Sequence, residues 1–338
     1  MKDFEKILDK KKTASLKFKK RKTKRTVTKS IGSTPVNALN GIVTAIIGTT
    51  ILVESEKYKL YECLTAGIVY TDNENQSIIS VGDSVYFLPD KQNAIKRGTI
   101  IKVDTRRNHF SRKEVGYEKE DVIAANVDKI IIMLSVKSPR YNKHLLDRYI
   151  VTAELNGVEP IICINKIDLG NIIEIKNDML VYEKLNYKIF YISAKEKTGL
   201  NDLLTEINNS ITVLSGPSGT GKSTFINAVL DNPEQSVRET SNKTNKGKHT
   251  TSAVNMFTLP SGGKIIDTPG VREFGIWGLE KNEAALYFHE FDDFNPKCKY
   301  YPCTHTHEPE CAVIDALEQG KITPERYESY LNLYDSLK

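Results

Sequence analysis

The sequence predicts a multidomain protein: an N-terminal β-barrel, a central α/β domain with a phosphate-binding loop, and a C-terminal, mainly helical domain with a metal site. Three observations support this. Short β-rich runs extend to about residue 103, strands alternate with helices from about residue 122, and cysteines cluster with histidines near the C-terminus. Such alternation is typical of doubly wound α/β domains. We expect a basic arm at 1–35, the barrel at 36–105, the α/β domain at 106–275 and the metal-binding domain at 276–338.

The composition favours a soluble globular protein, since 39% of the 338 residues are hydrophobic and 27% are charged. No run of about 18 apolar residues occurs, so we expect no membrane association. Met1 is not followed by an apolar signal segment, and three of the five cysteines lie close together near the C-terminus. These features favour a cytoplasmic protein with reduced thiols over a disulfide scaffold. We take a monomer as the default expectation.

The first 35 residues form a basic segment. Between Lys10 and Lys29 there are eleven Lys or Arg and no Asp or Glu, within a chain of net charge +5. This composition predicts a disordered arm that contacts nucleic-acid phosphates. A solvated tail without a role is the alternative. A transit peptide is less favoured, because such peptides are rich in Arg and Ser whereas this arm is mostly Lys.

The barrel prediction rests on four β-rich runs separated by polar or glycine-containing turns. The runs are "NGIVTAIIGTTILVES", "KYKLYECLTAGIVY", "QSIISVGDSVYFLPD" and "KRGTIIKVDT". Four or five strands in so short a segment favour an OB-fold, a five-stranded barrel that commonly binds nucleic acid. An SH3-like barrel fits the pattern as well, and the two remain open from the sequence alone.

A phosphate-binding loop follows the strand "ITVLSG" and precedes the helix "KSTFINAVL". It matches G-x4-G-K-[ST], in which glycines let backbone N–H groups converge on phosphates at a helix N-terminus. We expect Lys222 to reach the β- and γ-phosphates and the Ser223 hydroxyl to hold Mg²⁺. The predicted nucleotide-binding residues of this loop are Gly216, Pro217, Ser218, Gly219, Thr220, Gly221, Lys222, Ser223 and Thr224.

Two further motifs predict which nucleotide base the protein binds. Asn165-Lys166-x-Asp168 directly follows the apolar run "PIICI", and Ser193-Ala194-Lys195 ends the next predicted strand. The Asp168 carboxylate can accept from N1–H and the N2 amino group of guanine, whereas adenine offers neither donor there. Asn165 suits guanine O6 and N7, the Lys166 stem can lie along the base, and the Ala194 N–H can support O6. The motifs therefore predict GTP and GDP as ligands and argue against ATP.

The switch residues follow the phosphate loop. Asp267-Thr268-Pro269-Gly270 ends the strand "KIIDTPG", so we expect Asp267 in the Mg²⁺ shell and the Gly270 N–H at the γ-phosphate. The polar stretch "SNKTNKGKHTTSAVNMF" lies between the two motifs, where Thr250 and Thr251 are alternative Mg²⁺-sensing threonines.

The residue after Gly270 is Val271, where Ras-like GTPases have the glutamine that orients the attacking water. We therefore expect slow intrinsic hydrolysis. His249, a partner that orders the switch, or the two together would have to position the water, although an exposed loop histidine is often inert.

The order of these motifs indicates a circular permutation. The base-reading motifs come before the phosphate loop, and the D-x-x-G motif comes last, which is the standard GTPase cycle begun at a different point. The C-terminal domain then follows switch II directly. We expect a change at the γ-phosphate to be passed to that domain.

Cys298-x4-Cys303-x-His305-x5-Cys311 supplies three sulfurs and an imidazole over a short segment. Cys₃His is a standard closed tetrahedral set for structural Zn²⁺, so one Zn²⁺ without a catalytic role is expected. His307 is a spare imidazole that can replace His305 as the ligand.

These motifs resemble the RsgA (YjeQ) family of circularly permuted GTPases. The resemblance covers about residues 36–338 and rests on the barrel followed by "NKID", "GPSGTGKST", "GKHTT", "DTPGVREFG" and "CKYYPCTHTHEPECAV". It implies an OB-fold, late maturation of the 30S ribosomal subunit as the role, and GTP hydrolysis stimulated by that subunit. It also implies a catalytic His249 and favours His305 over His307. Lys248 departs from the family's usual Arg, and the arm at 1–35 is long for the family.

Two hypotheses follow for function. The first is a GTPase that binds the 30S subunit and its 16S rRNA through the barrel, the basic arm and the zinc domain. The second is a nucleotide-gated transport or signalling protein that does not touch RNA, with an ATP-dependent enzyme as a weaker third. Salt-sensitive association with 30S subunits distinguishes the first two, because phosphate contacts weaken steeply as salt rises.

Overall fold

The structure is a computed structural model that describes residues 37–55, 59–70, 77–90, 96–113, 120–230, 254–268, 276 and 278–337. The basic arm predicted at 1–35 lies outside the described residues. In the part of the chain that the structure covers, no helix is both long enough and apolar enough to cross a membrane.

The barrel contains β1 to β5, whose bounds are Leu39–Ile47, Thr50–Ser55, Leu60–Tyr70, Ser84–Pro89 and Arg97–Val103. The strand order is β1-β2-β3-β5-β4, and β4 pairs back to β1, which closes the barrel. β3 and β5 are parallel, whereas the other pairs are antiparallel. This closed five-stranded arrangement is the OB-fold rather than the SH3-like alternative.

The α/β domain has a six-stranded sheet with the order β10-β9-β8-β11-β13-β12, parallel except for β12. Its strands β8 to β13 are Lys129–Ser135, Glu159–Asn165, Lys188–Tyr191, Ile211–Ser215, Asn255–Thr258 and Lys264–Asp267. Its helices α1 to α4 are Lys143–Leu155, Ile172–Lys184, Leu200–Glu206 and Lys222–Val229. A hairpin of β6 (His109–Lys113) and β7 (Glu120–Ala125) connects the barrel to this domain. The predicted multidomain fold class is confirmed.

Strand β8 shows why this sheet is buried on both faces. Ile130, Ile132 and Leu134 pack into one hydrophobic core, whereas Ile131 and Met133 pack into a second core on the opposite face. A continuous apolar run is what a parallel strand covered on both sides requires.

The barrel and the α/β domain share one continuous sheet. β1 pairs with β12 at Ala45 and Asn255, and Glu54 of β2 forms an ion pair with Lys264 of β13. An isolated bridge between Val81 and Ala124 adds a second backbone contact. The barrel is therefore joined directly to β12, the edge strand of the six-stranded sheet.

The C-terminal domain consists of short helices around the cysteine cluster. Three 3₁₀ helices, Lys281–Tyr287, His289–Phe291 and Asn295–Lys297, precede α5 (Ala312–Glu318) and α6 (Pro324–Ser336). The domain packs on α1, because Val151 belongs to its hydrophobic core.

One buried arginine joins the two domains. Arg326 of α6 forms ion pairs with Asp147 of α1 and with Glu290, and its Nε lies 2.6 Å from Glu290 Oε1. Its guanidinium also lies over the rings of Phe288 and Tyr182, 4.8 and 5.5 Å from their centroids. A buried charge needs such pairing, since an uncompensated one is strongly destabilising.

Candidate nucleotide-binding site and metal centre

The predicted motifs meet at one edge of the parallel sheet. The NKID segment follows β9, Ser193 and Ala194 follow β10, the phosphate loop follows β11, and Asp267 ends β13. These four strands run parallel, so their carboxyl ends lie at the same edge. In open α/β sheets this edge is where ligands bind.

The phosphate loop adopts the backbone that its glycines predict. Three glycines of this loop have positive φ values, which residues other than glycine rarely adopt. The values are +146° for Gly216, +83° for Gly219 and +97° for Gly221. A Cβ on Gly216 would lie 2.1 Å from the carbonyl oxygen of Met133 in β8. The loop can therefore approach β8 closely only because glycine stands there.

Lys222 begins α4 and turns back over the loop. Its Nζ donates to the carbonyl oxygens of Gly216 and Pro217 at 2.7 and 2.8 Å. Burial lowers the pKa of Lys222, and the charge of Asp267 opposes this shift. Burial likewise raises the pKa of Asp267, against the charge of Lys222. A cation and a carboxylate thus face each other beside the phosphate loop, which suits a phosphate and a divalent cation.

Asn165 joins three loops. Its Oδ1 accepts from the backbone N–H of Ala194 at 2.9 Å and of Lys166 at 2.8 Å, and its Nδ2 donates to the carbonyl oxygen of Thr220 at 2.9 Å. The side chain is only 2% exposed. The sequence predicted that Asn165 and Ala194 both serve guanine O6. In the structure they bond to each other, and their contact with the base remains a prediction.

Asp168 and Ser193 form the second contact between the base-reading motifs. Asp168 is exposed, and its Oδ1 accepts from the Ser193 hydroxyl at 2.6 Å. Ser193 is itself buried and also accepts from the backbone N–H of Glu196. The carboxylate is therefore held in place by a buried hydroxyl while it stays accessible to a ligand. Lys195 is exposed and lies 3.1 Å from Glu196.

Sequence reasoning missed a fourth loop at this site, the segment between β8 and α1. Lys166 adopts a left-handed backbone, and its Nζ donates to the carbonyl oxygens of Ser138 at 2.6 Å and Gly219 at 2.7 Å. A Cβ on Gly219 would lie 3.4 Å from Pro139, so the phosphate loop lies against this segment. The Ser-Pro dipeptide after an apolar strand predicts a turn but not its contacts.

The switch residues are only partly within the described residues. Asp267 lies at the end of β13, and the Thr268 hydroxyl donates to the carbonyl oxygen of Leu214 at 3.0 Å. Ser223 and Thr224 are exposed in the first turn of α4. His249, Thr250, Thr251 and Gly270 lie outside the described residues, so their roles remain predictions.

The four predicted metal ligands converge, with donor atoms all within 4.8 Å of one another. The Nδ1 of His305 lies 3.4 Å from the sulfur of Cys311 and 3.7 Å from that of Cys298. The sulfur of Cys303 lies 3.7 Å from that of Cys311. His305 is fully buried, and burial lowers its pKa to about 4, which keeps the imidazole neutral as a metal ligand requires. The group fits a metal ion.

His307 does not take part in the cluster. It is exposed, and its Nδ1 lies 2.7 Å from the hydroxyl of Thr306. Of the two histidines that the sequence left open, His305 is therefore the one placed among the sulfurs.

Several hydrogen bonds shape the metal-binding loop. Glu308 accepts from the Thr304 hydroxyl at 2.6 Å and from its backbone N–H at 2.7 Å. Although partial burial opposes it, these bonds and others from the neighbouring backbone hold the pKa of Glu308 down at about 2. The Tyr327 hydroxyl donates to the carbonyl oxygen of His305 at 2.6 Å, which ties the loop to α6.

Comparison with known proteins gives a consistent result. A family model described as RsgA GTPase matches residues 103–277. Two relatives named small ribosomal subunit biogenesis GTPase RsgA, from Chlorobaculum parvum and Chlorobaculum tepidum, are 42% and 40% identical over 305 residues. Each match covers 88% of this chain and 98% of the relative.

Two solved structures are similar to the whole arrangement. YjeQ from Thermotoga maritima has a TM-score of 0.69 and 30% identity, and the match covers 89% of this chain and 98% of that one. YloQ, described as a circularly permuted GTPase, has a TM-score of 0.67 and 24% identity over 91% of this chain and 98% of its own. The second likeness supports the fold, including the permutation.

The contact between Gly221 and Asn165 gives a first testable prediction. A Cβ on Gly221 would lie 2.3 Å from Asn165 Nδ2, so Gly221→Ala must displace the amide that joins three loops. We expect GTP affinity to fall at least about tenfold, which corresponds to about 1.4 kcal/mol. Titration with a fluorescent GTP analogue measures this loss.

Gly278→Ala is the matched control. Gly278 also has a positive φ, +81°, but nothing lies within 4 Å of its Cβ position. Backbone strain would therefore lower the stability of both variants, whereas the clash with Asn165 occurs only in Gly221→Ala. Equal losses of affinity in the two variants would contradict the role given to Asn165.

Proposed function

The chain belongs to the RsgA GTPase family, and on that premise we propose that it hydrolyses GTP to GDP and phosphate on the small (30S) ribosomal subunit, late in the maturation of that subunit. The observation that carries this proposal is the arrangement of the site. Guanine-specific motifs and a phosphate loop meet on a permuted α/β domain that lies between an OB-fold and a Cys₃His domain. The relatives named for small-subunit biogenesis match nearly their full length.

We propose that the chain binds 16S rRNA through the barrel, the basic arm and the metal-binding domain. The closed barrel supports this, because OB-folds commonly bind oligonucleotides on the face of their second and third strands and on the adjoining loops. The eleven basic residues between Lys10 and Lys29 support it as well, since such segments neutralise phosphates. We propose that the protein acts as a monomer in the cytoplasm, where the small ribosomal subunit is assembled.

We propose the following roles in the nucleotide site. Asp168, held by Ser193, accepts hydrogen bonds from the guanine edge. Asn165 holds the loops around the base together. Lys222 exchanges its bonds with the Gly216 and Pro217 carbonyls for bonds to the phosphates. Ser223, Asp267 and one of Thr250 and Thr251 would hold Mg²⁺, which when bound neutralises phosphate charge.

The hydrolytic step requires a group that positions water. Val271 has no polar atom in its side chain and cannot do so, unlike the glutamine of Ras-like GTPases. We propose that His249 positions the water and that the Gly270 N–H contacts the γ-phosphate once the 30S subunit orders the switch. Turnover should then be slow without the subunit.

We propose that the Cys₃His cluster holds Zn²⁺. Three thiolates and one neutral imidazole form a closed tetrahedral set, for which Zn²⁺ is the usual ion, and no open position is left for catalysis. Metal analysis of the purified protein should find one zinc per chain. The variants Cys298→Ser and Cys311→Ser should each lose this zinc. A full occupancy by iron would contradict the assignment.

The role of Asp168 predicts a change of base specificity. Asp168→Asn should weaken GTP binding about 10- to 100-fold, because hydrogen bonds to charged groups contribute about 1.5–3 kcal/mol each. The same variant should gain affinity for xanthosine triphosphate, whose carbonyl at C2 can accept from the new amide. Competition binding with both nucleotides measures the exchange.

Asp202→Asn makes the same carboxylate-to-amide change on the exposed face of α3 and serves as the control. It should leave both affinities unchanged. An Asp168→Asn protein that binds GTP as tightly as the parent would remove Asp168 from the base site.

The proposed partner is tested by GTP hydrolysis with the purified protein alone and with 30S, 50S or 70S particles. We expect slow turnover alone and a stimulation of about tenfold or more by 30S subunits, since a partner that completes a GTPase site has effects of this size or larger. Raising the salt should reduce the stimulation. Rapid turnover alone, or no response to 30S subunits, would favour a nucleotide-gated protein that does not act on the ribosome.

A further inference from the structure

We propose that Tyr300 and Tyr301 form a stacking platform for unpaired RNA bases, beside the metal ligands of the C-terminal domain. The proposal rests on the proposed function, since it names the chemistry by which this domain would grip ribosomal RNA. Tyr300 is 46% exposed and Tyr301 is 67% exposed. Two neighbouring rings therefore present large apolar surfaces to solvent, and the fold does not use them for its own core.

Other aromatic residues of the same domain behave differently. Phe288, Phe291 and Tyr330 are fully buried and pack against one another, with ring centroids 5.1–5.6 Å apart. The domain thus has a complete aromatic core without Tyr300 and Tyr301. Exposed aromatic side chains that contribute nothing to the core are typical of binding surfaces.

A metal ion held by the Cys₃His cluster would fix the backbone on both sides of the platform. Tyr300 and Tyr301 lie between the ligands Cys298 and Cys303, so both ends of this short segment are fixed at the cluster. The Lys299 N–H also donates to the carbonyl oxygen of Glu310 at 3.3 Å. A ring held on a fixed backbone loses little conformational entropy when it binds, which favours its use in recognition.

One lysine lies beside the ring of Tyr300, and two more lie over Phe294 in the same domain. Lys299 Nζ lies 5.8 Å from the Tyr300 ring centroid, although it also pairs with Glu310. Lys297 and Lys321 lie 5.5 and 6.0 Å from the ring centroid of Phe294, and neither has an ion pair among the described residues. The exposed ring of Tyr300 next to Lys299 matches the two needs of single-stranded RNA, stacking for the bases and positive charge for the phosphates.

The same features disfavour a protein partner. The centres of protein–protein interfaces are depleted in lysine, whereas Lys299 lies beside the ring of Tyr300 on this surface. Stacking also tolerates any base, because every base has a π-face. The platform is therefore expected to bind unpaired nucleotides with little sequence preference.

The test uses the full-length protein with a non-hydrolysable GTP analogue. Three ligands are compared: 30S subunits, a 12-nucleotide adenine-rich RNA strand, and the same strand in a duplex. Tyr300→Ala and Tyr301→Ala should each weaken binding to the single strand and to 30S subunits about tenfold, while the salt dependence of binding stays the same. Duplex binding should not change.

Phenylalanine variants separate stacking from hydrogen bonding. Tyr300→Phe and Tyr301→Phe keep the ring and should bind like the parent protein. Ile173→Ala removes another side chain that is 67% exposed, on α2, and should have no effect. Lys297→Gln and Lys321→Gln should instead reduce the salt slope by about 0.7 each. The metal content of every variant reports whether the cluster is intact.

The outcomes separate this proposal from the one on which it rests. If the parent protein binds 30S subunits and the alanine variants with full metal content bind both ligands equally well, the platform is wrong and the proposed function stands. If the alanine variants lose affinity for 30S subunits but not for the single strand, the surface binds a protein of the subunit. If the parent protein does not bind 30S subunits at all, the proposed function fails first.

Discussion

The nucleotide site depends on the amide of one buried asparagine. Asn165 binds the backbone of Ala194, Lys166 and Thr220, three points that belong to three different loops. A buried amide left without partners costs about 1–3 kcal/mol for each lost group, so separation of these loops is disfavoured. The base-reading loops and the phosphate loop therefore form one unit, and Asp168 is fixed relative to Lys222 before any ligand arrives.

The parallel sheet explains why a permuted chain can still build this unit. The carboxyl ends of β9, β10, β11 and β13 lie at one edge because the strands are parallel, regardless of the order in which the chain visits them. The permutation changes instead what is attached to the sheet. β12 pairs with β1 of the barrel, and the metal-binding domain follows β13 in the sequence. The barrel is thus joined at the β12 edge of the sheet, whereas the C-terminal domain packs on α1.

Helix α1 links the nucleotide site to the metal-binding domain. The loop before it lies against Gly219 and receives hydrogen bonds from Lys166 Nζ, while Asp147 within it pairs with Arg326. The Arg326 guanidinium is nearly fully buried and needs both Asp147 and Glu290 to offset its desolvation. The C-terminal domain is therefore positioned by specific charge pairing as well as by the apolar contact of Val151.

The sequence by itself determined the local chemistry: the phosphate loop, the NKID and Ser193-Ala194 motifs, the Cys₃His set and the permuted order. These depend on residues close together in the chain, where glycine conformations and ligand spacing are directly visible. Only the tertiary structure decided between the OB-fold and the SH3-like barrel, because that choice depends on β3 pairing in parallel with β5. It also decided between His305 and His307, partnered Asn165 with Ala194, and brought Ser138 to the site. Apart from the choice of histidine, which depends on how a short loop folds, each of these is a contact between segments distant in sequence, which no local pattern encodes.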